Sequence, residues 1–234
     1  FWTMLLLVYV FVASVLPVQT LLQPRDFINA WQLLIAMGLL TLGLLVARPA
    51  VVATPVELAP APASPTSLAP AFIPFLFVTI ACGAISGFHC LVSSGCSSRQ
   101  LRTEADAQYV GYGAMLTEGF LATLVILACA AGIGLGTTTG AGASLTGREA
   151  WLAHYATWGG DSGLANVLRP FVTGSANMIE AVGVSHAFAV AIMGVFVASF
   201  AATTLDSATR LQRYVLTELA TGGARLRVPA TLAA

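Results

Sequence analysis

FIPFLFVTIACGAISGFHCLVSSG (72–95) and AQYVGYGAMLTEGFLATLVILACAAGIG (107–134) decide how this chain is read. Both reach the length of a membrane crossing, about 20 apolar residues for about 30 Å of hydrocarbon. Each holds one ionisable group well inside it, His89 in the first and Glu118 in the second. Asp, Lys or Arg in mid-helix costs roughly 2.5–3.5 kcal/mol on insertion scales, so ionisable groups there face a cavity, a partner or a pathway. The two stretches predict a membrane protein with polar work to do between its helices.

Composition agrees. Hydrophobic residues are 57% and charged residues 9%, with a mean hydropathy of +0.85, whereas a soluble domain carries about 25% charged residues. The alternating segments of a β-barrel are absent, so the expected class is all-α and multi-pass. A net charge of zero leaves no footprint for nucleic acid. Cys82, Cys90, Cys96 and Cys129 lie in or beside predicted helices, form no CxxC, and read as small hydrophobes. No cofactor and no metal site is expected. GIGLGTTTG (132–140) lacks the GK[ST] of a phosphate loop, and GxSxG and HExxH do not occur. The chain opens at Phe1 inside an apolar run, without Met or a positive n-region. That reads as the interior of a longer protein and not as a signal peptide.

Five spans are expected, at about 2–22, 31–47, 71–93, 107–133 and 184–205. QPRDFIN (23–29) reads as a polar link. The Pro/Ala-rich stretch 48–70 reads as an extended loop, because its prolines forbid a continuous helix. A long external loop, 135–183, carries Trp151, Tyr155 and Trp158, which suit the headgroup region and predict short interfacial helices. The tail 206–220 reads as a cytoplasmic amphipathic helix. Leu205, Ala208, Leu211, Val215, Leu216 and Leu219 form its apolar stripe, and Arg210 and Arg213 lie on another side. Alternating the spans puts seven Arg on one side and three on the other. The positive-inside rule then places the N-terminus outside and the tail in the cytoplasm.

The polar residues fall on helical faces. Thr79, Cys82, Ser86, His89 and Ser93 share one face of the third span, with Gly83 and Gly87 beside it. The glycines fit close helix packing. They equally fit a local unwinding that offers backbone groups to substrate and ions. His89 reads either as a structural hydrogen-bonding group or as part of a pathway. In the fourth span Gly111, Ala114, Glu118 and Ala122 share a face opposite Leu116, Phe120, Leu124 and Leu127. This places Glu118 where helices pack, about three turns in from the start signal at Thr103–Asp106. A carboxyl there serves either proton coupling or a protonated helix–helix hydrogen bond. Ser199, Thr203, Asp206, Arg210 and Arg213 form a ladder running off the fifth span. Thr203–Asp206 has capping-box spacing, so a new helix is possible there. Asp206 with Arg210 reads as an interfacial pair or as a gate at the cytoplasmic mouth.

PFLFVTIACGAISGFHCLVSSG (74–95), EADAQYVGYGAMLTEG (104–119) and FAATTLDSATRLQRYVLTEL (200–219) resemble the carbon starvation protein A family of bacterial and archaeal membrane transporters. VFVASVLPVQTLLQPRDFIN (10–29) is similar to it too. The resemblance omits the Pro/Ala loop, most of 135–183 and the last dozen residues. It implies a carrier of the cytoplasmic membrane, linked to peptide use in carbon starvation and to proton-coupled pyruvate uptake. It also implies inverted repeats with broken helices, and further spans beyond this chain. Cys90 and Cys96 stand where members commonly have Thr or a small residue, so no thiol role is assigned. Depth, polar faces and the matching strings nominate Ser86, Gly87, His89, Glu118, Thr203, Thr204 and Asp206 for a substrate or ion path, and Arg210 and Arg213 for a gate. The expected partners are a small organic anion or short peptide, a coupling proton or Na+, the lipid bilayer and the remaining spans. Alternatives are a membrane sensor whose tail contacts a cytoplasmic protein, and a lipid-acting enzyme. The second needs a nucleophile–base pair or metal cluster that the sequence does not display.

Overall fold

The computed structural model describes residues 2–53, 72–84, 87–138, 144–155 and 164–224. Most of the Pro/Ala stretch, Trp158, and Ile85 and Ser86 in the middle of the stretch expected to unwind, lie outside these residues.

The described chain is built almost wholly of helices. Helix α1 (Trp2–Val15) stops before Pro17, and α2 (Val18–Ala47) follows at once. Proline has no N–H to donate and clashes with the preceding turn, so the break falls there. The expected first span, 2–22, is therefore two helices, and the expected link 23–29 is helical. Pro24 sits within α2 without ending it. Hydropathy suggests a link because Arg25, Asp26 and Asn29 are polar, yet two of these find partners on another helix, described below. Helix α3 (Phe72–Ala84) and α4 (Gly87–Val92) cover the third span, and a π turn (Ser93–Ser97) and a 3-10 turn (Ser98–Gln100) follow. Helix α5 (Glu104–Ala130) begins where the start signal lies. Thr103 Oγ1 donates to Asp106 Oδ2 at 2.8 Å, and the Asp106 N–H donates to the Thr103 carbonyl at 3.2 Å.

A 3-10 turn (Gly132–Leu135) ends α5. The short strands β1 (Thr137–Thr138) and β2 (Ser144–Leu145) then pair antiparallel, and α6 (Gly147–Tyr155) and α7 (Leu164–Glu180) follow. Helix α8 runs unbroken from His186 to Ala224, so no new helix starts at Thr203 and the tail continues the fifth span.

Among the described residues, three helical segments are long and apolar enough to cross a membrane: Thr20–Ala47, Glu104–Leu135 and His186–Ala220. In their most apolar windows only 22%, 28% and 17% of residues are buried within the chain. Side chains such as Leu116, Phe188 and Val195 therefore point outward and need an apolar environment. The protein is an all-α membrane protein.

Two compact units divide the described residues. The first takes residues from 1–33, 85–110 and 196–234, and the second from 34–84 and 111–195. The second has a conventional core, and α7 is at its centre. Ser175, Ala176, Met178 and Ile179 are fully buried, and α7 packs on the 3-10 turn that closes α5. The stretch expected to be a loop with short interfacial helices thus supplies a core helix. Asn177 Nδ2 donates to the carbonyls of Gly132 at 3.0 Å and Gly136 at 2.5 Å, and the Val52 N–H donates to Ala130 O at 2.9 Å. These donors satisfy carbonyls that the end of a helix leaves open.

Packing here is backbone against backbone. A Cβ on Gly174 would overlap the Ala128 carbonyl and lie 3.2 Å from the Ile133 nitrogen, and a Cβ on Gly43 would overlap the Met178 carbonyl. Small residues at such contacts are how membrane helices approach closely. Replacing Gly174 with Leu should lower the thermal midpoint of the detergent-purified full-length gene product by several degrees. Overpacking of this kind costs about 1–3 kcal/mol or more. An unchanged melting curve would show that α7 is not packed against the end of α5.

Candidate functional site

The first compact unit buries charge where the second buries aliphatic side chains. Asp206 is 0% exposed and Arg210 2% exposed, with Ser14 and Asn29 also buried. Removing one charge of a buried pair costs about 3–5 kcal/mol, so such groups persist only with partners in place.

The arrangement starts at the break between α1 and α2. In an uninterrupted helix the amide of residue 17 would bond the carbonyl of Ala13, but Pro17 has no amide hydrogen. The Leu16 carbonyl is also open, because the Thr20 N–H turns to Pro17 O at 3.1 Å. Arg210, from α8, fills both vacancies. Its Nη2 donates to Ala13 O at 2.9 Å and to Leu16 O at 2.8 Å. A guanidinium suits this because it presents several donors in a rigid plane and keeps its charge when buried.

One turn earlier on α8, Asp206 meets α2. Arg25 Nη1 bonds Asp206 Oδ2 as an ion pair between a half-buried guanidinium and a buried carboxylate, and Tyr9 Oη donates to the same oxygen at 3.1 Å. Arg25 also reaches the Tyr9 hydroxyl at 3.4 Å, and its Nη2 lies 3.9 Å from Asp26 Oδ1. The second carboxylate oxygen, Asp206 Oδ1, is buried with no hydrogen-bond partner among the described residues.

A neutral layer continues the contact. Asn29 Nδ2 donates to Thr203 Oγ1 at 2.6 Å, and Asn29 Oδ1 accepts from Ser199 Oγ at 2.5 Å. Thr203 Oγ1 in turn donates to the Ser199 carbonyl at 3.0 Å. Residues 25 and 29 of α2 therefore face residues 206, 203 and 199 of α8 in antiparallel order. Four residues apart is one turn on either helix, which keeps the contact on one face of each.

The structure thus brings together Thr203, Asp206 and Arg210 from the expected path and gate. Arg213 is close by in sequence and half-buried, its guanidinium 5.3 Å from the Tyr214 ring centroid. Thr204 faces outward and bonds back to the Phe200 carbonyl at 3.1 Å. Gly87 and His89 lie on exposed α4, in the same compact unit as the cluster. Glu118 belongs to the other unit and is exposed, as are Gly111, Ala114 and Ala122 on its face. The packing expected of this face is not supplied by the described residues.

The tail's predicted apolar stripe is mostly exposed at Leu205, Val215, Leu216 and Leu219, while Asp206 and Arg210 face inward. The open carbonyls at Pro17 and the charge of Arg25 outweigh the pull of that stripe. Tyr9, Arg25 and Asn29 are site residues that the sequence pattern does not nominate. The available signal is the four-residue spacing of Arg25 and Asn29, which matches the ladder on α8.

The family described as "Carbon starvation protein CstA" matches residues 1–231. "Peptide transporter CstA" of Mycobacterium tuberculosis (strain ATCC 25618 / H37Rv) is 41% identical over 126 residues, covering 54% of this chain and 17% of the relative. The peptide transporter of the same name from Escherichia coli (strain K12) is 41% identical over 128 residues, covering 53% and 18%. "Pyruvate/proton symporter BtsT" of Escherichia coli (strain K12) is 40% identical over 126 residues, covering 54% and 18%. The matched part of this chain thus spans under a fifth of the length of these relatives. No solved structure matches the chain. The match along almost the whole sequence means that the chain belongs to the carbon starvation protein CstA family.

Proposed function

We propose that the chain forms part of a secondary carrier of the bacterial or archaeal cytoplasmic membrane. The carrier imports a small carbon source bearing a carboxylate, a short peptide or pyruvate, together with protons. The observation that carries this reading is the Arg25–Asp206–Arg210 cluster, with Asp206 and Arg210 buried, on two helices long and apolar enough to cross a membrane. Relatives named as peptide transporters and as a pyruvate/proton symporter supply the substrate class.

The chemistry follows from one cation shared by two anions. Arg25 holds Asp206 in the substrate-free state. A substrate carboxylate competes for the same guanidinium, which binds carboxylates in a planar fork. When it wins, Asp206 is left as a buried carboxylate without its counter-ion, and taking up a proton removes that penalty. Substrate and proton then enter together, because substrate alone would leave the buried carboxylate without a counter-charge. A proton fits this seat better than Na+, because the guanidinium beside Asp206 repels a second cation that cannot neutralise the carboxyl covalently.

The pair also ties α2 to α8, so its exchange gives the two helices freedom to move in an alternating-access cycle. Arg210 does a different task. Its bonds to backbone carbonyls do not change with protonation, so it works as the fixed point of the break at Pro17. Glu118, in the second unit, is a further proton-carrying candidate on an uncovered helix face.

The test uses the full-length gene product in proteoliposomes, with labelled pyruvate and labelled dialanine, each with and without an inward proton gradient. Asp206→Asn should lose gradient-driven accumulation by tenfold or more while keeping part of its downhill exchange. Arg25→Ala should lose both, and Arg25→Lys should retain weak exchange, since a lysine keeps the charge but not the planar fork. Accumulation at the wild-type level in Asp206→Asn would remove the cluster from the coupling path. Glu118→Gln should likewise abolish accumulation and spare exchange, and full accumulation in that variant would exclude Glu118 as a coupling group.

A further inference from the structure

The second compact unit contains a cavity of about 950 Å³ that the buried cluster does not use. Ligand pockets fall in the range of roughly 300–1,000 Å³, so this is a full-sized site. One wall is a stripe of α7 carrying Asn166, Arg169, Thr173 and Glu180. Arg169 and Glu180 are three turns apart on the same side of the helix. The wall therefore sets a cation three turns from an anion, with the Thr173 hydroxyl between them and the Asn166 amide one turn beyond Arg169. Leu168 and Val172 on α7 and Val190 on α8 add apolar surface to the lining.

Each end is prepared for a charge of opposite sign. Glu180 Oε2 bonds His186 Nδ1 at 2.8 Å, which fixes the carboxylate and leaves Oε1 to accept another donor. At the other end, Arg169 is exposed toward solvent. Burial and the Arg169 charge both hold the nearby His154 imidazole below its ordinary value. The Thr137 hydroxyl, on the cavity wall, is held by His154 Nε2 at 3.2 Å.

The separation selects a ligand length. Three turns of helix are about 16 Å from Cα to Cα at 1.5 Å per residue. The Arg and Glu side chains reach inward from both ends and shorten the gap. An extended peptide covers about 3.3–3.6 Å per residue, so two to four residues bridge what remains.

We propose that this cavity is a capture site for a short peptide bound as a zwitterion, its terminal carboxylate on Arg169 and its terminal ammonium on Glu180. The site rests on the peptide side of the reading above. Pyruvate has a carboxylate and no ammonium, so it satisfies one end only. The apolar surface between the ends takes the peptide's side chains without demanding a sequence. Both charged residues are exposed, so replacing them leaves the core of the unit untouched.

The experiment measures equilibrium binding of trialanine to the purified full-length gene product in nanodiscs, beside its C-terminal amide and its N-acetyl form. In the wild type each modification should weaken binding about tenfold. Arg169→Gln should bind trialanine about tenfold more weakly and become indifferent to amidation, while remaining sensitive to acetylation. Glu180→Gln should show the opposite pattern. Thr173→Trp, which fills the cavity between the two charges without altering either, should abolish binding in a protein that still elutes as a single species. Wild-type affinity in all three variants would overturn the site even where labelled peptide is still transported. Absence of trialanine binding to the wild type would overturn it too, and proton-driven pyruvate uptake by the same preparation would show that the carrier reading survives without it.

Discussion

Proline at position 17 sets the constraint on which the first compact unit depends. It removes the amide that would have served the Ala13 carbonyl and leaves the Leu16 carbonyl open as well. In a hydrocarbon setting no water replaces those bonds, and each unsatisfied group costs several kcal/mol. Arg210 closes both at 2.8–2.9 Å. That fixes the rotation of α8 about its own axis. With Arg210 turned inward, Asp206, Thr203 and Ser199 follow at helical intervals, and each meets a group of α1 or α2. A break in one helix thus selects the buried face of another.

The energetics of the cluster divide along the same line. Bonds from a guanidinium to carbonyls are indifferent to proton traffic and hold the frame. The Arg25–Asp206 pair is different, because its stability depends on both charges being present. An ion pair inside a protein contributes little net stability over an apolar replacement, yet losing one member is expensive. That asymmetry suits a coupling element better than a structural staple. We assign the staple to Arg210 and the switch to Asp206, one turn apart.

Much of this is legible in the residues. The apolar lengths announce the class, the start of α5 at Thr103 follows from local chemistry, and the ladder Ser199–Thr203–Asp206–Arg210 stands out by spacing, whereas the break at Pro17 falls inside what reads as one span. The inward direction of that ladder is not legible, since the spacing of apolar residues along a helix carries no information about open carbonyls on a distant one. Arg25 and Asn29 read as a link for the same reason: their partners lie some 170–180 residues away in sequence. Helix α7 is hidden in an apparent loop because Asn166, Arg169 and Asn177 dilute its hydropathy, although its tight contacts run through Gly174 and backbone. Glu118 lies on a face left uncovered by the described residues, so the helix packing expected around it is not formed by them.

The central claim is that substrate displaces Asp206 from Arg25 and that Asp206 then takes up a proton. The direct measurement is the number of protons bound per substrate, by calorimetric titration of the full-length gene product in buffers of different ionisation enthalpy. The wild type should take up about one proton per substrate, and Asp206→Asn should take up none through this site. Equal proton uptake by the two proteins would contradict the claim, because the proton would then be carried elsewhere.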